Sequence, residues 1–343
     1  MTLRRFLSSW SLPLAILAGI LAYVTVYELY RELPEQMLSF LPSRNTVLNL
    51  VAVAQPFFLF VMLFISFAKI RFTELRPALW ALPLLLLQGG IFAGLGWLLY
   101  LFPDLECRFL AEAAMLAFIC PTATAASVIV RKLAGSMEHI MAYTIMANLL
   151  SAVLIPAVVP FAHPLPGFSF GAAFGVIMIK VMPLLMGPVL AVGLCRLVCP
   201  GFLNWIARIP DLAFYFWLVS LPLAMAVSVR YLMHSLLGTG AILEIAAVSL
   251  AACLLQFALG RFFGRICGSS GDAVTAGQAL GQKSTVFMIW TGYTFFTPVT
   301  AITGGFYSIW HNSISSWQLY RKSQEEAGSG SAASSQDKPR KNG

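Results

Sequence analysis

Two polar clusters interrupt otherwise apolar stretches of the chain. The first lies in AMLAFICPTATAASVIVRKLAG, where Pro121 is followed by the hydroxyl side chains of Thr122, Thr124 and Ser127. Because proline has no amide hydrogen, we expect it to break a helix near the centre of this segment. Backbone groups freed at membrane depth are tolerated where they are buried in protein or face a wet cavity. The hydroxyls can then bind an ion or a substrate. The alternative is a simple proline kink, with Ser and Thr bonded back to carbonyls.

The second cluster lies in GDAVTAGQALGQKSTVFMIWTGYTF. It places seven glycine and polar residues together, namely Gly277, Gln278, Gly281, Gln282, Lys283, Ser284 and Thr285. Each cluster falls in the fourth apolar segment of its half of the chain. Two polar interruptions in corresponding segments are typical of the binding site of a secondary transporter.

Lys283 is the most informative residue of the second cluster. An ammonium group near the membrane midplane costs several kcal/mol unless it has a partner or a water-filled cavity. Such a lysine can hold an anionic substrate, stand in for a bound cation, or gain and lose a proton. The alternative is a lysine whose side chain snorkels to the membrane interface.

Other polar residues also lie inside apolar segments. Lys180 precedes Pro183 in the sixth segment, where it either snorkels or pairs with Glu244 or Glu112. Five further side chains can line the same cavity as the two clusters: Gln88, Asn148, His311, Asn312 and Ser313. Taken singly, a side chain of this kind more often forms a hydrogen bond between helices.

The composition is that of a membrane protein. Of 343 residues, 59% are hydrophobic and 10% charged, and the mean hydropathy is +0.81. A soluble domain needs more charge than this. Ten apolar segments of roughly 20 residues can each cross a hydrocarbon core of ~30 Å. They cover approximately 11–30, 46–68, 77–101, 108–132, 137–161, 169–195, 210–230, 238–260, 271–296 and 299–320.

The net charge of +8 reflects basic residues in short loops and at the termini, with no nucleic-acid-binding motif. Under the positive-inside rule, this distribution predicts a cytoplasmic (inner) membrane protein with both termini cytoplasmic. The start of the chain lacks a convincing cleavage site, so we interpret it as the first span and not as a signal peptide. The six cysteines show no zinc spacing, and we interpret them as small apolar side chains.

An even number of spans divides into two five-span repeats, 1–165 and 166–322, that insert in opposite directions. The tail, 323–343, is rich in Gly, Ser and charge, which predicts a disordered cytoplasmic extension.

The two clusters resemble those of the bile acid:sodium symporter superfamily, and the likeness extends over essentially all ten segments. The segment Pro121-Thr-Ala-Thr-Ala-Ala-Ser127-Val resembles the family's Pro-Gly-Gly-Thr-Ala-Ser-Asn-Val, and Gln278-Ala-Leu-Gly-Gln282-Lys283-Ser284 resembles Glu-Val-Gly-Met-Gln-Asn-Ser. The resemblance implies an all-α fold with a panel domain (spans 1, 2, 6 and 7) and a core domain (spans 3–5 and 8–10). Discontinuous helices 4 and 9 would cross in the core, and the two domains would move by alternating access.

The resemblance also implies sodium ligands, which this sequence retains only in part. Gln282, Gln88 and Thr144 match sodium-binding positions of the family. The other positions depart from it: Gln278 replaces the acidic ligand, Ala126-Ser127 a Ser-Asn pair, Ile140 a hydroxyl residue, and Lys283 an asparagine. A cation site that has lost a carboxylate and gained an ammonium repels sodium. We therefore expect weak or absent sodium coupling, with a proton as coupling ion or with uniport.

These features predict a secondary transporter, not an enzyme, for a small organic anion. A lysine beside helix N-termini favours a carboxylate or sulfonate group. A channel or a sensor of the same fold stays open as an alternative. An intramembrane enzyme or a retinal-binding photoreceptor with Lys283 as Schiff base is less well supported. The four histidines fall in separate segments, and a retinal pigment needs an acidic counter-ion.

Overall fold

The computed structural model describes residues 3–32, 44–70, 72–164, 167–209 and 212–336. These residues are mainly helical, and the described part contains no β-strand. The helices are α1 (Leu3–Glu32), α2 (Arg44–Ala68), α3 (Ala81–Leu101), α4 (Arg108–Ile119), α5 (Ala126–Lys132), α6 (Met137–Ala162), α7 (Phe170–Leu185), α8 (Gly187–Val198), α9 (Pro200–Arg208), α10 (Leu212–Met233), α11 (Thr239–Ile266), α12 (Ser270–Gly281), α13 (Thr285–Phe295) and α14 (Ala301–Gln336). Short 3-10 turns occur at Phe72–Glu74 and Pro298–Thr300.

Several helices are long and apolar enough to cross a membrane. Within the described ranges five pass this test singly: Leu14–Glu32, Ala81–Leu101, Met137–Ala162, Tyr215–Met233 and Thr239–Ile266. Helices α7 and α8 make a sixth if counted together. The chain therefore has the helices of a multi-pass membrane protein. The architecture of ten spans in two inverted repeats stays a prediction.

The predicted break after Pro121 is confirmed. Helix α4 ends at Ile119 and α5 begins at Ala126, so the fourth apolar segment is two short helices. Cys120, which precedes the proline, has the extended angles φ −57° and ψ 134°. A residue before proline is driven out of the helical region by contact with the proline ring. The ninth segment is likewise divided, into α12 and α13, with Gln282, Lys283 and Ser284 between them.

Three features differ from the expectations. The sixth segment is not straight: α7 and α8 are bent by 49° at Met186, between Pro183 and Pro188, because each proline removes an amide donor. Residues 200–208 form helix α9, where no helix was expected. The last helix runs on to Gln336, into the tail for which composition predicts disorder. Nucleation is the unfavourable step of helix formation, so a polar, Ala-containing segment can extend a helix that is already formed. Residues 337–343 of the tail lie outside the described part.

The helices pack in two groups. One contains α1, α2, α8 and α10, which contact one another in the order α1–α10–α2–α8. The other contains α3 to α6 and α11 to α14, and it holds most of the buried polar residues. Within the second group, α11 and α12 approach closely along Gly260 and Gly264. A Cβ atom at Gly260 would lie 2.4 Å from the Ala276 carbonyl oxygen, and one at Gly264 would lie 2.6 Å from that of Asp272. Small residues four apart are a common device for close helix packing in membranes.

This close packing can be tested by substitution. We expect Gly264→Ala to lower the free energy of unfolding by about 1–3 kcal/mol, because the added methyl group forces the two backbones apart. Gly94→Ala on α3 is the matched control, since a Cβ atom there meets no atom within 4 Å. Thermal unfolding in detergent measures both variants. Equal melting temperatures for the two variants would contradict the close approach of α11 and α12.

Candidate functional site

The two helix breaks meet and pair with each other. The Ser284 amide donates to the Pro121 carbonyl at 2.8 Å, and the Ala123 amide donates to the Gln282 carbonyl at 2.8 Å. Thr122 and Lys283 thereby form an isolated antiparallel β-bridge. Backbone groups that leave a helix must find new partners when no water is present. Here each break supplies the partners that the other needs.

The carboxyl end of α4 is covered by groups from several helices. The last four carbonyls of a helix have no partner within it. The Leu116 carbonyl accepts from the Cys120 amide at 3.3 Å, and the Ala117 carbonyl accepts from Gln256 Nε2 at 3.2 Å. Lys283 Nζ donates to the Phe118 carbonyl at 3.1 Å. The Ile119 carbonyl accepts from Gln88 Nε2 at 3.2 Å and from Ser151 Oγ at 2.6 Å. All four carbonyls are therefore satisfied.

The carboxyl end of α12 is covered in a similar way. Thr122 Oγ1 donates to the Ala279 carbonyl at 2.7 Å, so this hydroxyl after Pro121 caps the other broken helix. Tyr307, on α14, donates its hydroxyl to the Gly281 carbonyl at 2.9 Å. Gln256 on α11 bonds to the Tyr307 hydroxyl at 3.1 Å and thereby joins the ends of α12 and α4.

Lys283 lies at the centre of this crossing with 1% of its surface exposed. Its Nζ atom donates to Gln88 Oε1 at 3.0 Å as well as to the Phe118 carbonyl at 3.1 Å. Among the described residues, no carboxylate pairs with Lys283. The ammonium instead lies at the carboxyl end of α4, where the helix dipole is negative. Both of its protein partners are neutral oxygen atoms, the ligands that an alkali cation would also use.

Gln88 holds the lysine in place. Its Oε1 atom accepts from Lys283 and, at 3.2 Å, from the Tyr143 hydroxyl, while its Nε2 atom donates to the Ile119 carbonyl. The side chain is fully buried. Gln88, on α3, thus fixes both the lysine, 195 positions away in the sequence, and the end of the next helix, α4.

The other predicted site residues divide into two kinds. Several are bonded elsewhere: Gln278 Nε2 to Gln318 Oε1 at 2.8 Å, Thr144 Oγ1 to the Ile140 carbonyl at 2.8 Å, and Ser127 Oγ to the Thr124 carbonyl at 3.0 Å. Thr285 is buried in the first turn of α13, whereas Ser284 and Thr124 are half-buried.

Asn148 and Gln282 form the second kind. Both amide atoms of Asn148 and the Oε1 atom of Gln282 are buried without a hydrogen-bond partner in the described structure. Asn148 lies one turn from Ser151, the α6 residue that bonds to the end of α4. Buried polar atoms without a partner are rare and call for a ligand, a water or a change of conformation. These two amides are therefore the best candidates for direct contact with a ligand.

Lys180 does not belong to this site. It is exposed, and its Nζ atom lies 6.0 Å from the centre of the Phe295 ring. The pairing considered with Glu112 or Glu244 is not observed. Glu112 is buried and instead accepts from Arg108 Nε at 3.0 Å and pairs with His163 Nε2 at 2.6 Å. Arg108 also donates to the Ala162 carbonyl.

A second cluster of a carboxylate and a histidine lies at the other end of α6. Asp272 Oδ1 accepts from Trp80 Nε1 at 3.3 Å and pairs with His139 Nδ1 at 2.9 Å, while Oδ2 accepts from the Ser269 amide at 2.9 Å. Glu112 is on α4 and Asp272 on α12. Each broken helix is thus tied, near its amino end, to one end of α6.

Sequence reasoning missed four residues of the crossing: Tyr143, Ser151, Gln256 and Tyr307. Gln256 was detectable, because it is a buried amide in an apolar helix, as Gln88 is. The tyrosines had no such signal, since tyrosine is common at membrane interfaces. Of the polar run in α14, His311 is buried, Asn312 bonds to the Ser308 carbonyl at 2.7 Å and Ser313 is exposed.

No protein-family model matches the chain, and no characterised protein matches it.

The role of Gln88 can be tested by thermal unfolding in detergent. We expect Gln88→Leu to lower the free energy of unfolding by about 3–5 kcal/mol, because it leaves a buried ammonium with one fewer acceptor. Gln55→Leu is the matched control. Gln55 is also buried and accepts from a tyrosine, Tyr293, at 2.7 Å, but it holds no charge. Gln55→Leu should therefore lower the free energy of unfolding by about 1 kcal/mol.

A double variant separates charge from packing. In Lys283→Met/Gln88→Leu the buried charge is gone, so we expect much of the stability lost in Gln88→Leu to return. Equal losses for Gln88→Leu and Gln55→Leu, or no recovery in the double variant, would show that Gln88 does not hold the charge of Lys283.

Proposed function

We propose that the chain is a secondary transporter that moves a small organic anion across a membrane by alternating access. The observation that carries this proposal is the crossing of two broken helices around a buried lysine that has no carboxylate partner among the described residues. Interrupted helices that meet inside the apolar region are a recurring way to build a transporter site.

The packing supports two domains within a single ten-span fold. The group of α1, α2, α8 and α10 matches most of the panel that the resemblance implies, although α7, the first half of span six, packs mainly on α6; the group containing α4 and α12 corresponds to the core. In this proposal the core carries the site and moves against the panel. Both termini would be cytoplasmic in an inner membrane, as the distribution of basic residues favours.

Corresponding contacts in the two halves support an inverted repeat. In the first half, Tyr143 bonds to Gln88, and in the second half Tyr307 bonds to Gln256. Each glutamine lies in the span before a broken helix and each tyrosine in the span after it. The caps themselves are not symmetric, since both glutamines donate to the carboxyl end of α4. Two repeats of one ancestral unit would retain such a glutamine–tyrosine pair in corresponding positions.

The residues present do not fit the sodium sites that the resemblance implies. Gln88 Oε1 already accepts from Lys283, and the Thr144 hydroxyl is bonded within its own helix. Gln278, in the position of the acidic ligand, is a neutral amide bonded to Gln318. We therefore propose that the Lys283 ammonium takes the electrostatic place of sodium. The carrier is then a proton-coupled transporter or a uniporter.

The substrate would bind beside Lys283. Its negative group can accept from the ammonium and from Asn148 Nδ2, which has no partner, whereas the unpartnered Gln282 Oε1 can accept from a donor group of the substrate. The amino end of α13 also begins at this crossing, directly after Ser284, and its free amides favour an anion. Carboxylates and sulfonates are the chemical class whose oxygens accept hydrogen bonds from such donors.

Transport can be tested in proteoliposomes. Thermal-shift screening of 2-oxo acids, bile acids and steroid sulfates first identifies a ligand, which is then used labelled in counterflow. We expect counterflow to persist when sodium is replaced by choline. Lys283→Met should weaken it at least about tenfold, because a charge-assisted hydrogen bond to the anion is lost.

Lys180→Met is the matched control, since it removes an exposed lysine of another helix, and its counterflow should equal that of the wild type. A channel or a sensor would give no counterflow. Uptake that scales with sodium and is unchanged in Lys283→Ala would overturn the proposed role of the lysine.

A further inference from the structure

Two arginines of α11 line a cleft that the crossing does not use. Arg261 and Arg265 lie one turn apart and face α12 across a space of about 430 Å3, which Ala273 and Val274 line on the opposite side. The cleft lies near the carboxyl end of α11 and the amino end of α12.

Helix packing places the arginines there. Gly260 and Gly264 bring the backbones of α11 and α12 into contact, and each arginine is the next residue along from one of these glycines. Both guanidinium groups therefore lie at the edge of the seam. The stem of Arg261 packs over Gly277, where a Cβ atom would lie 2.8 Å from its Cγ atom. A long basic side chain commonly buries its stem in this way and leaves its charged end free.

The cleft holds positive charge without a counter-charge. Within the described residues, no carboxylate pairs with Arg261 or Arg265. Arg261 is also repelled by Arg321, on α14, whose own ion pair is with Glu325 at 3.7 Å. The carboxylate of Asp272, on the facing helix, is already bonded to Ser269, His139 and Trp80. Two unpaired guanidinium groups one turn apart on a helix are stabilised by an anion.

Each arginine of the cleft is followed in the sequence by an exposed apolar residue. Phe262 and Ile266 on α11 expose 55% and 65% of their surface, and Trp317 on α14 exposes 53%. The Arg321 guanidinium lies 5.3 Å from the centre of the Trp317 ring. Tryptophan is enriched at the boundary between lipid and water. A ligand that spans both environments would contact the arginines with one end and these side chains with the other.

We propose that this cleft binds the phosphate of an anionic phospholipid, with the acyl chains against Phe262 and Ile266. Guanidinium groups match phosphate oxygens in pairs, and basic pockets between membrane helices hold lipid headgroups. A free phosphate ion shares the headgroup chemistry but has nothing to place on the exposed apolar side chains. The lipid is therefore the ligand that fits both halves of the site.

Native mass spectrometry of the delipidated full-length protein tests this. Phosphatidylglycerol and phosphatidylcholine of the same chain length are added in turn, and inorganic phosphate is added in a separate arm. We expect phosphatidylglycerol to bind in preference to phosphatidylcholine. In Arg261→Gln/Arg265→Gln its binding should weaken at least about tenfold, through the loss of two charge-assisted contacts.

Arg76→Gln/Arg208→Gln is the matched control, because it removes the same charge from two exposed arginines elsewhere and should bind phosphatidylglycerol as the wild type does. Arg261→Lys/Arg265→Lys keeps the charge and should retain binding. If the double glutamine variant does not fold, Arg265→Gln alone replaces it, because Arg265 is exposed, and it should weaken the binding of phosphatidylglycerol. Equal binding of the two lipids, or unchanged binding in the glutamine variant, would overturn the site. Displacement of the lipid by millimolar inorganic phosphate, with an equal thermal shift from phosphate alone, would identify a free anion as the ligand and overturn the lipid assignment.

Discussion

Backbone groups that leave a helix inside an apolar environment must be hydrogen-bonded, and this constraint organises the centre of the structure. The breaks at Pro121 and at Lys283 satisfy it jointly. The carbonyl of Pro121 and that of Gln282 each accept an amide from the opposite break. Neither break could be moved or straightened alone without leaving buried groups unpaired in the other. The crossing is therefore one unit, although its two strands lie far apart in the sequence.

Lys283 adds a charge to this unit. Its ammonium bonds to the carboxyl end of α4 and to Gln88, so it serves as a cap for a helix that ends inside the protein. Gln278, which the resemblance aligns with an acidic sodium ligand, is a neutral amide that bonds to Gln318 on α14. The arrangement leaves a positive centre that is hydrogen-bonded but not neutralised. That is the electrostatic condition under which an anion is bound and a second cation is repelled.

The contacts at the ends of the helices show how the crossing is held in place. Glu112 with His163 fastens α4 to one end of α6, and Asp272 with His139 fastens α12 to the other end. Helix α6 is therefore the common support of both broken helices. The basic cleft beside α12 lies outside this framework, with Arg261 and Arg265 placed by the seam of Gly260 and Gly264. A lipid there would contact α12, the helix that carries Gln278 and leads to Gln282 and Lys283 at the centre.

The sequence alone determined the membrane class, the apolar segments and the two places where a helix is interrupted. These are local properties, since hydropathy belongs to a segment and the missing amide belongs to Pro121 itself. Local patterns also single out Lys283 and Gln88 as polar residues inside apolar helices. They do not reveal that these two residues bond to each other across 195 positions of the chain. They likewise do not reveal that Glu112 pairs with His163 and not with Lys180. Only the tertiary structure decided these partners, because they depend on the rotation and depth of each helix against its neighbours, which the apolar composition of a segment leaves undetermined.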